Sequence, residues 1–195
     1  MPADLRPAAF IDRDGVINAE LNYVWRAEDF HVLPGVFSGL RRLAECGYVL
    51  VIVTNQAGIA KGKYDESAFE RLTQHMLKLF TDEGVVFAGV YHCPHHPQGI
   101  VTRYSLECDC RKPAPGLLLH AAAELGLDLS RSVLVGDKVS DTLAGRAAGL
   151  RLNVLVETGH ALPADSMNFA DHRCADLDQA ALWLCQSTRS PSTET

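Results

Sequence analysis

The chain has 195 residues, 47% of them hydrophobic and 22% charged, which is the make-up of one ordinary globular domain with a full core. A formal net charge of −6 argues against a nucleic-acid backbone or an anionic membrane as the main partner, yet leaves room for a local cationic patch that holds a phosphorylated small molecule. Residues Met1 to Pro7 carry two opposite charges and no apolar segment, unlike a signal peptide, and no apolar run approaches bilayer length, so a cytoplasmic monomer is expected.

Apolar runs and helical patterns alternate along the chain. Strands are predicted at Ala8–Asp12, Tyr48–Thr54, Val86–Tyr91, Ser132–Asp137 and Leu152–Val156, and their near-continuous apolar character suits a sheet covered on both faces. Helical periodicity covers Val36–Cys46, Glu66–Thr81, Gly116–Leu125, Asp141–Ala148 and Leu177–Cys185, with Gly47, Gly84, Gly126 and Gly149 where left-handed caps are wanted. This order predicts an α/β protein with a mostly parallel central sheet and helices on both faces. Residues 1–187 are read as a single domain, and 188–195, lacking an apolar anchor, as a disordered tail.

Four polar stations sit on this framework: Asp12-Arg13-Asp14-Gly15, Thr54-Asn55-Gln56, Arg111-Lys112-Pro113 and Gly136-Asp137-Lys138. Residues i and i+2 of an extended strand face the same side, so Asp12 and Asp14 would address one site. Two carboxylates that close need a cation or a transferable proton between them. Asp12, Thr54 and Asp137 each end a different strand, and open α/β sheets bind ligands outside those ends. Taken singly each station reads as a cap, Thr54 above all; four in order do not. Asp141 is read as a first-turn residue interacting with its own helix and is left out of the site, with a contact to metal as the open alternative.

A second cluster is Cys93-Pro94-His95-His96-Pro97 followed by Cys108-Asp109-Cys110. Cys93, His95, Cys108 and Cys110 offer four soft donors, the set that selects a structural Zn²⁺, and a bound ion would order an otherwise expensive loop. Two other readings of these residues stay open: free thiols beside exposed histidines, or His96 as the ligand in place of His95. The remaining cysteines, Cys46, Cys174 and Cys185, are read as buried thiols.

The ordered stations resemble the haloacid dehalogenase (HAD) superfamily of phosphotransferases: Phe10-Ile11-Asp12-Arg13-Asp14-Gly15 matches its first motif, strand-end Thr54 its second, Lys112 its third and Gly136-Asp137-Lys138 its fourth. The resemblance implies a Rossmann-like HAD fold and a Mg²⁺ held by Asp12, Asp14 and Asp137. It also implies Asp12 as nucleophile forming an aspartyl-phosphate, Asp14 as acid and base, and Thr54 and Lys112 on the phosphoryl oxygens. An Asp at the second acidic position is what the phosphatase branch uses. The gaps between strands leave no room for a separate cap domain, so loops must enclose the site, among them Asp14–Pro34 and the zinc-stapled Cys93–Cys110. The zinc loop together with these motifs looks like the heptose 1,7-bisphosphate 7-phosphatases, which implies hydrolysis of the C7 phosphate for nucleotide-activated heptose and lipopolysaccharide core synthesis. Substrate contacts are then expected from Glu20, Leu21, Asn22, Tyr23, Asn55, Gln56, Arg111 and Lys138. The same zinc loop occurs in histidinol-phosphate phosphatases, the alternative substrate class. A zinc-containing interaction module without turnover is a third reading, disfavoured because Asp12, Asp14, Lys112 and Asp137 are all present.

Overall fold

The computed structural model describes residues 5–189. Six parallel strands, β1 (Ala8–Ile11), β2 (Val49–Asn55), β3 (Gly89–Cys93), β4 (Val133–Gly136), β5 (Leu152–Val156) and β6 (His172–Cys174), form one sheet in the order β3-β2-β1-β4-β5-β6. Between them run α1 (Val36–Glu45), α2 (Ala57–Ala60), α3 (Glu66–Asp82), α4 (Gly116–Leu125) and α5 (Val139–Ala147), with α6 (Leu177–Arg189) last. The strand order reverses at β1, and that switch point is where such sheets open a crevice at their carboxyl ends.

Side-chain alternation along β1 builds both layers of the core. Ala9 and Ile11 join Leu40 and Leu43 of α1, Met76 and Phe80 of α3 and Leu184 of α6 on one face. Ala8 and Phe10 join Leu117, Leu118 and Ala121 of α4 and Ala144 of α5 on the other. The fold class expected from the sequence is thus observed, and only a loop and α1 lie between β1 and β2. The four capping glycines end their helices at positive φ. Among the described residues no helix is long and apolar enough to cross a membrane.

Four details differ from expectation. β3 begins at Gly89 rather than Val86, because its register with β2 runs from Val51↔Gly89 to Asn55↔Cys93, and this carries Cys93 to the strand's carboxyl end. The three-residue β6 and the four-residue α2 were not foreseen; neither has enough length for a period to show. α6 continues to Arg189, two residues past the expected domain boundary, and the rest of the expected tail lies outside the described residues.

The fourth difference is a correction. Cys46 and Cys185 are not buried thiols but a disulfide, with Cα atoms 6.1 Å apart and 139 residues between them. Packing of α6 against α1 creates this proximity, and no sequence spacing reports it. Cys174 is free and buried, and burial pushes its thiol pKa up to about 11. Denatured with chelator but without reductant, the chain should therefore titrate four thiols out of six with a disulfide reagent. Six reactive thiols would show that the pair is open in solution.

Candidate active site

Asp12 follows directly on β1, and its carboxylate is held on two sides. Oδ1 accepts from the backbone N of Arg13 at 2.8 Å and lies 3.0 Å from Nζ of Lys112. Lys112 comes from the loop before α4 and is 3% exposed; its ammonium also donates to the carbonyl of Val53 at 2.8 Å and pairs with Asp141 Oδ1 at 2.7 Å. Burial raises the pKa of Asp12 to about 6, against the opposing pull of Lys112. Burial also works against the charge on Lys112, but Asp12 and Asp141 outweigh it and hold the ammonium's pKa above the usual lysine value.

Asp14 turns into a separate polar web. The Arg13 guanidinium donates to both of its carboxylate oxygens, with Nη2 2.9 Å from Oδ1 and 2.8 Å from Oδ2. Asn18 Nδ2 donates to Oδ1 at 3.0 Å and Gln56 Nε2 to Oδ2 at 2.9 Å. The same Gln56 nitrogen lies 2.9 Å from Thr54 Oγ1, while Tyr64 donates its hydroxyl to Gln56 Oε1. Arg13 was given no role from the sequence. Its side chain is only 1% exposed and a guanidinium that deep must be paired, but that burial is set by the fold, so no local sequence signal marks it.

Asp137 follows directly on β4 with its side chain fully buried, in a tight setting. A Cβ on Gly15 or on Gly159 would fall 2.4 or 2.1 Å from Asp137 Oδ2, so both positions need glycine for this approach; Gly15 also has φ +87°. Desolvation raises the pKa of Asp137. Its Oδ1 is buried without a hydrogen-bond partner, and one carboxylate oxygen from each of Asp12, Asp137 and Asp141 lies within 4.8 Å of the others. Clustered hard oxygens with an unpartnered buried lone pair fit Mg²⁺, which relieves the mutual repulsion. Asp141, left out of the expected site, therefore stands inside it. It also accepts from the backbone N of Lys138 at 3.0 Å, so its helix-terminal role is real as well.

Asp12, Asp14, Thr54, Gln56, Lys112 and Asp141 open onto a cavity of about 680 Å³ lined by polar loops. Glu20, Leu21, Asn22 and Tyr23 form one wall, where Asn22 and Tyr23 take positive φ and Glu20 Oε1 accepts from the backbone N of Asn22 at 2.7 Å. Lys138 and Arg111 line the cavity, the former with Nζ 3.9 Å from Glu20 Oε2, the latter donating to the carbonyl of His95 at 3.3 Å. Lys61 and His160 line it too, and neither was foreseen. Asn55 and Gln56 reach the cavity wall, but their amides serve the protein. Asn55 grips the backbone of Lys112 from both ends, at 3.0 and 3.1 Å, and Gln56 bridges Asp14 and Thr54.

Beside this cavity, Cys93, His95, Cys108 and Cys110 converge with all ligand atoms within 4.8 Å of one another. His95 Nδ1 is 3.7 Å from Cys93 Sγ and 3.4 Å from Cys110 Sγ, while the sulfurs are 3.1–3.5 Å apart. These edges suit an ion with tetrahedral bonds of about 2.0–2.3 Å. His96 instead accepts from the backbone N of Gln98 and stands outside the group, so the choice between the two histidines falls on His95. Burial raises the thiol pKa values of Cys93 and Cys110, the opposite of what a bound cation does to its ligands.

Residues 109–180 match the HAD-hydrolase-like family. The D-glycero-beta-D-manno-heptose-1,7-bisphosphate 7-phosphatase of Vibrio cholerae is 50% identical over 154 residues, 79% of this chain and 83% of that protein. Its counterpart from Escherichia coli K12 is 46% identical over 177 residues, 89% and 93% of the two chains. Among solved structures, the D,D-heptose 1,7-bisphosphate phosphatase of B. bronchiseptica, complexed with magnesium and phosphate, superposes with a TM-score of 0.78 at 29% identity, covering 93% of this chain and 99% of that one.

Proposed function

The chain belongs to the heptose-1,7-bisphosphate 7-phosphatase family of HAD-like hydrolases, and on that premise we propose that it removes the C7 phosphate of D-glycero-D-manno-heptose 1,7-bisphosphate to leave the 1-phosphate. The relatives at 46–50% identity are named for the β anomer, which favours β here. The observation that carries the reading is the juxtaposition at one sheet edge of a buried Asp12 paired with Lys112, an unpartnered Asp137 oxygen, and a cavity rimmed by Arg111, Lys138 and Lys61.

Asp12, Asp137, the backbone carbonyl of Asp14 and, from its position, Asp141 would hold Mg²⁺, whose chemistry is to neutralise the phosphoryl dianion. Asp12 attacks phosphorus and forms the aspartyl-phosphate. Lys112 and the Thr54 hydroxyl stabilise charge spread over the equatorial oxygens, and Asn55 keeps Lys112 in place by both backbone groups. Asp14 protonates the leaving oxygen and then takes a proton from the hydrolytic water. To do so it must loosen its grip on Arg13 and Gln56, so arrival of substrate is coupled to a rotation of this carboxylate. The Cys₃His group would hold a structural Zn²⁺, because four protein donors leave no open position.

Phosphate release from both heptose bisphosphate anomers and from histidinol phosphate, with and without Mg²⁺, tests this directly. A clear kcat/KM preference for a heptose bisphosphate is expected. Preference for histidinol phosphate would move the chain to the other substrate class, and no turnover at all would favour the non-catalytic zinc module.

Arg111 separates recognition from chemistry. Lys112 is buried against Asp12, whereas Arg111, its neighbour, faces the cavity rim where the C1 phosphate of a substrate bound through C7 would lie. Arg111→Ala should raise KM for the bisphosphate by an amount worth about 1.5–3 kcal/mol, the range for a charged hydrogen bond, with little change for a 7-monophosphate. Equal losses on both substrates would place Arg111 with the chemistry or the loop instead.

A further inference from the structure

β5 contributes a station of its own. The segment Glu157-Thr158-Gly159-His160 leaves that strand's carboxyl end and bends back over β4. The hydroxyl of Thr158 donates to the carbonyl of Gly15 at 2.6 Å and ties this turn to the loop after β1. Gly159 lets the backbone pass against Asp137. His160 then places two donors on one atom: its backbone N is 3.0 Å, and its ring Nδ1 2.7 Å, from Asp137 Oδ2. The other oxygen, Oδ1, has none.

A buried carboxylate has two equivalent oxygens and can present either by rotating about its terminal bond. Two donors fixed on Oδ2 remove that freedom and leave Oδ1 as the free lone-pair donor. We propose that His160 is a positioning residue for the divalent-cation site: it pins Oδ2 of Asp137 and thereby aims Oδ1 at the cation. This rests on the reading that Asp137 is a Mg²⁺ ligand. Because an ionised carboxylate can only accept, Nδ1 must be the donating nitrogen in this contact. Outer groups that fix a metal ligand in this way typically contribute 10–100-fold in metal affinity.

The test is Mg²⁺ calorimetry on zinc-loaded protein without phosphate or substrate, with melting temperature as the check on folding. Wild type should bind Mg²⁺, and Asp137→Asn should abolish binding; failure of either would sink the metal reading itself. His160→Ala should weaken Mg²⁺ about 10–100-fold. His160→Asn, whose side-chain amide can sit where Nδ1 does, should recover most of the loss. If both earlier conditions hold and His160→Ala binds Mg²⁺ like wild type, or if Asn is no better than Ala, the positioning role is wrong. A group that touches only substrate would change KM and leave this titration unmoved. A measurement on unmutated protein guards against a variant that does not fold: ¹⁵N spectra of labelled histidine should show Nδ1 of His160 protonated with Mg²⁺ bound, and an Nδ1 without a proton would overturn the proposal.

Discussion

Asp12→Asn should lose at least about four orders of magnitude in kcat, the scale on which removal of a nucleophile is felt, and should trap no covalent adduct. Wild type rapidly quenched with labelled substrate should yield a hydroxylamine-sensitive phosphoryl-enzyme. The fold should survive the change, because Lys112 keeps Asp141 at 2.7 Å and the Val53 carbonyl as partners. Asp14→Asn should differ in two ways. Its loss of rate should be the smaller one of general acid–base catalysis, about 10²–10⁴-fold, with a slow first step still able to load Asp12. It should also destabilise the protein, since the Arg13 guanidinium is buried and Asp14 is its anionic partner. Removing one member of a buried pair costs about 3–5 kcal/mol, an upper bound here because Asp14 is partly exposed. Thermal denaturation then ranks the variants opposite to their kinetics: Asp12→Asn dead but stable, Asp14→Asn slow and less stable. Near-normal turnover by Asp12→Asn would end the mechanistic reading.

What could be read from the sequence is what local periodicity encodes. Asp12, Thr54 and Asp137 were placed at strand ends because apolar runs stop abruptly there, and a parallel sheet must gather such ends at one edge. The Cys₃His group was legible because ligands two residues apart on either side of one loop constrain each other. Arg13, Asp141, His160 and the Cys46–Cys185 pair were not. Each acquires its role from a partner elsewhere in the fold: Asp141 from Lys112, His160 from Asp137 across two strands, Cys46 from a helix 139 residues away. Arg13 adjoins Asp14, but its burial comes from Val24, Gln56 and the Phe69 ring closing over it. Asn55 and Gln56 line the cavity, as polar residues at a strand end should, and the fold adds a task the sequence does not show, since their amides also hold Lys112, Asp14 and Thr54.

Loss of the zinc proposed for the Cys₃His group should disable the enzyme without touching a reacting atom. Protein purified without chelators is expected to carry about one equivalent of zinc after exhaustive dialysis, while Mg²⁺ is lost and must be restored for activity. The reason lies in the chain path. Cys110 is followed at once by Arg111 and Lys112, and the carbonyl of Asp109 accepts from the backbone N of Gly116 at 2.8 Å, so the same short segment closes the metal group and opens α4. Three sulfurs within 3.1–3.5 Å of one another cannot stay ionised together without a cation, and stripped of one they must protonate or separate. Either response frees the loop that delivers Lys112 to Asp12. The core on one face of the sheet contains no residue of this loop, and the core on the other meets it only at Cys93, Cys108 and Cys110, so the domain should remain folded, unlike a zinc finger. Chelation, or Cys110→Ser, should therefore remove zinc and lower turnover by orders of magnitude while leaving far-ultraviolet dichroism close to native. Limited proteolysis should become fast between residues 93 and 112. Asn55→Ala, which releases the backbone of Lys112 but spares the metal group, should reproduce part of the kinetic loss with zinc still bound. Full activity in zinc-free protein would sever the link between the metal group and Lys112.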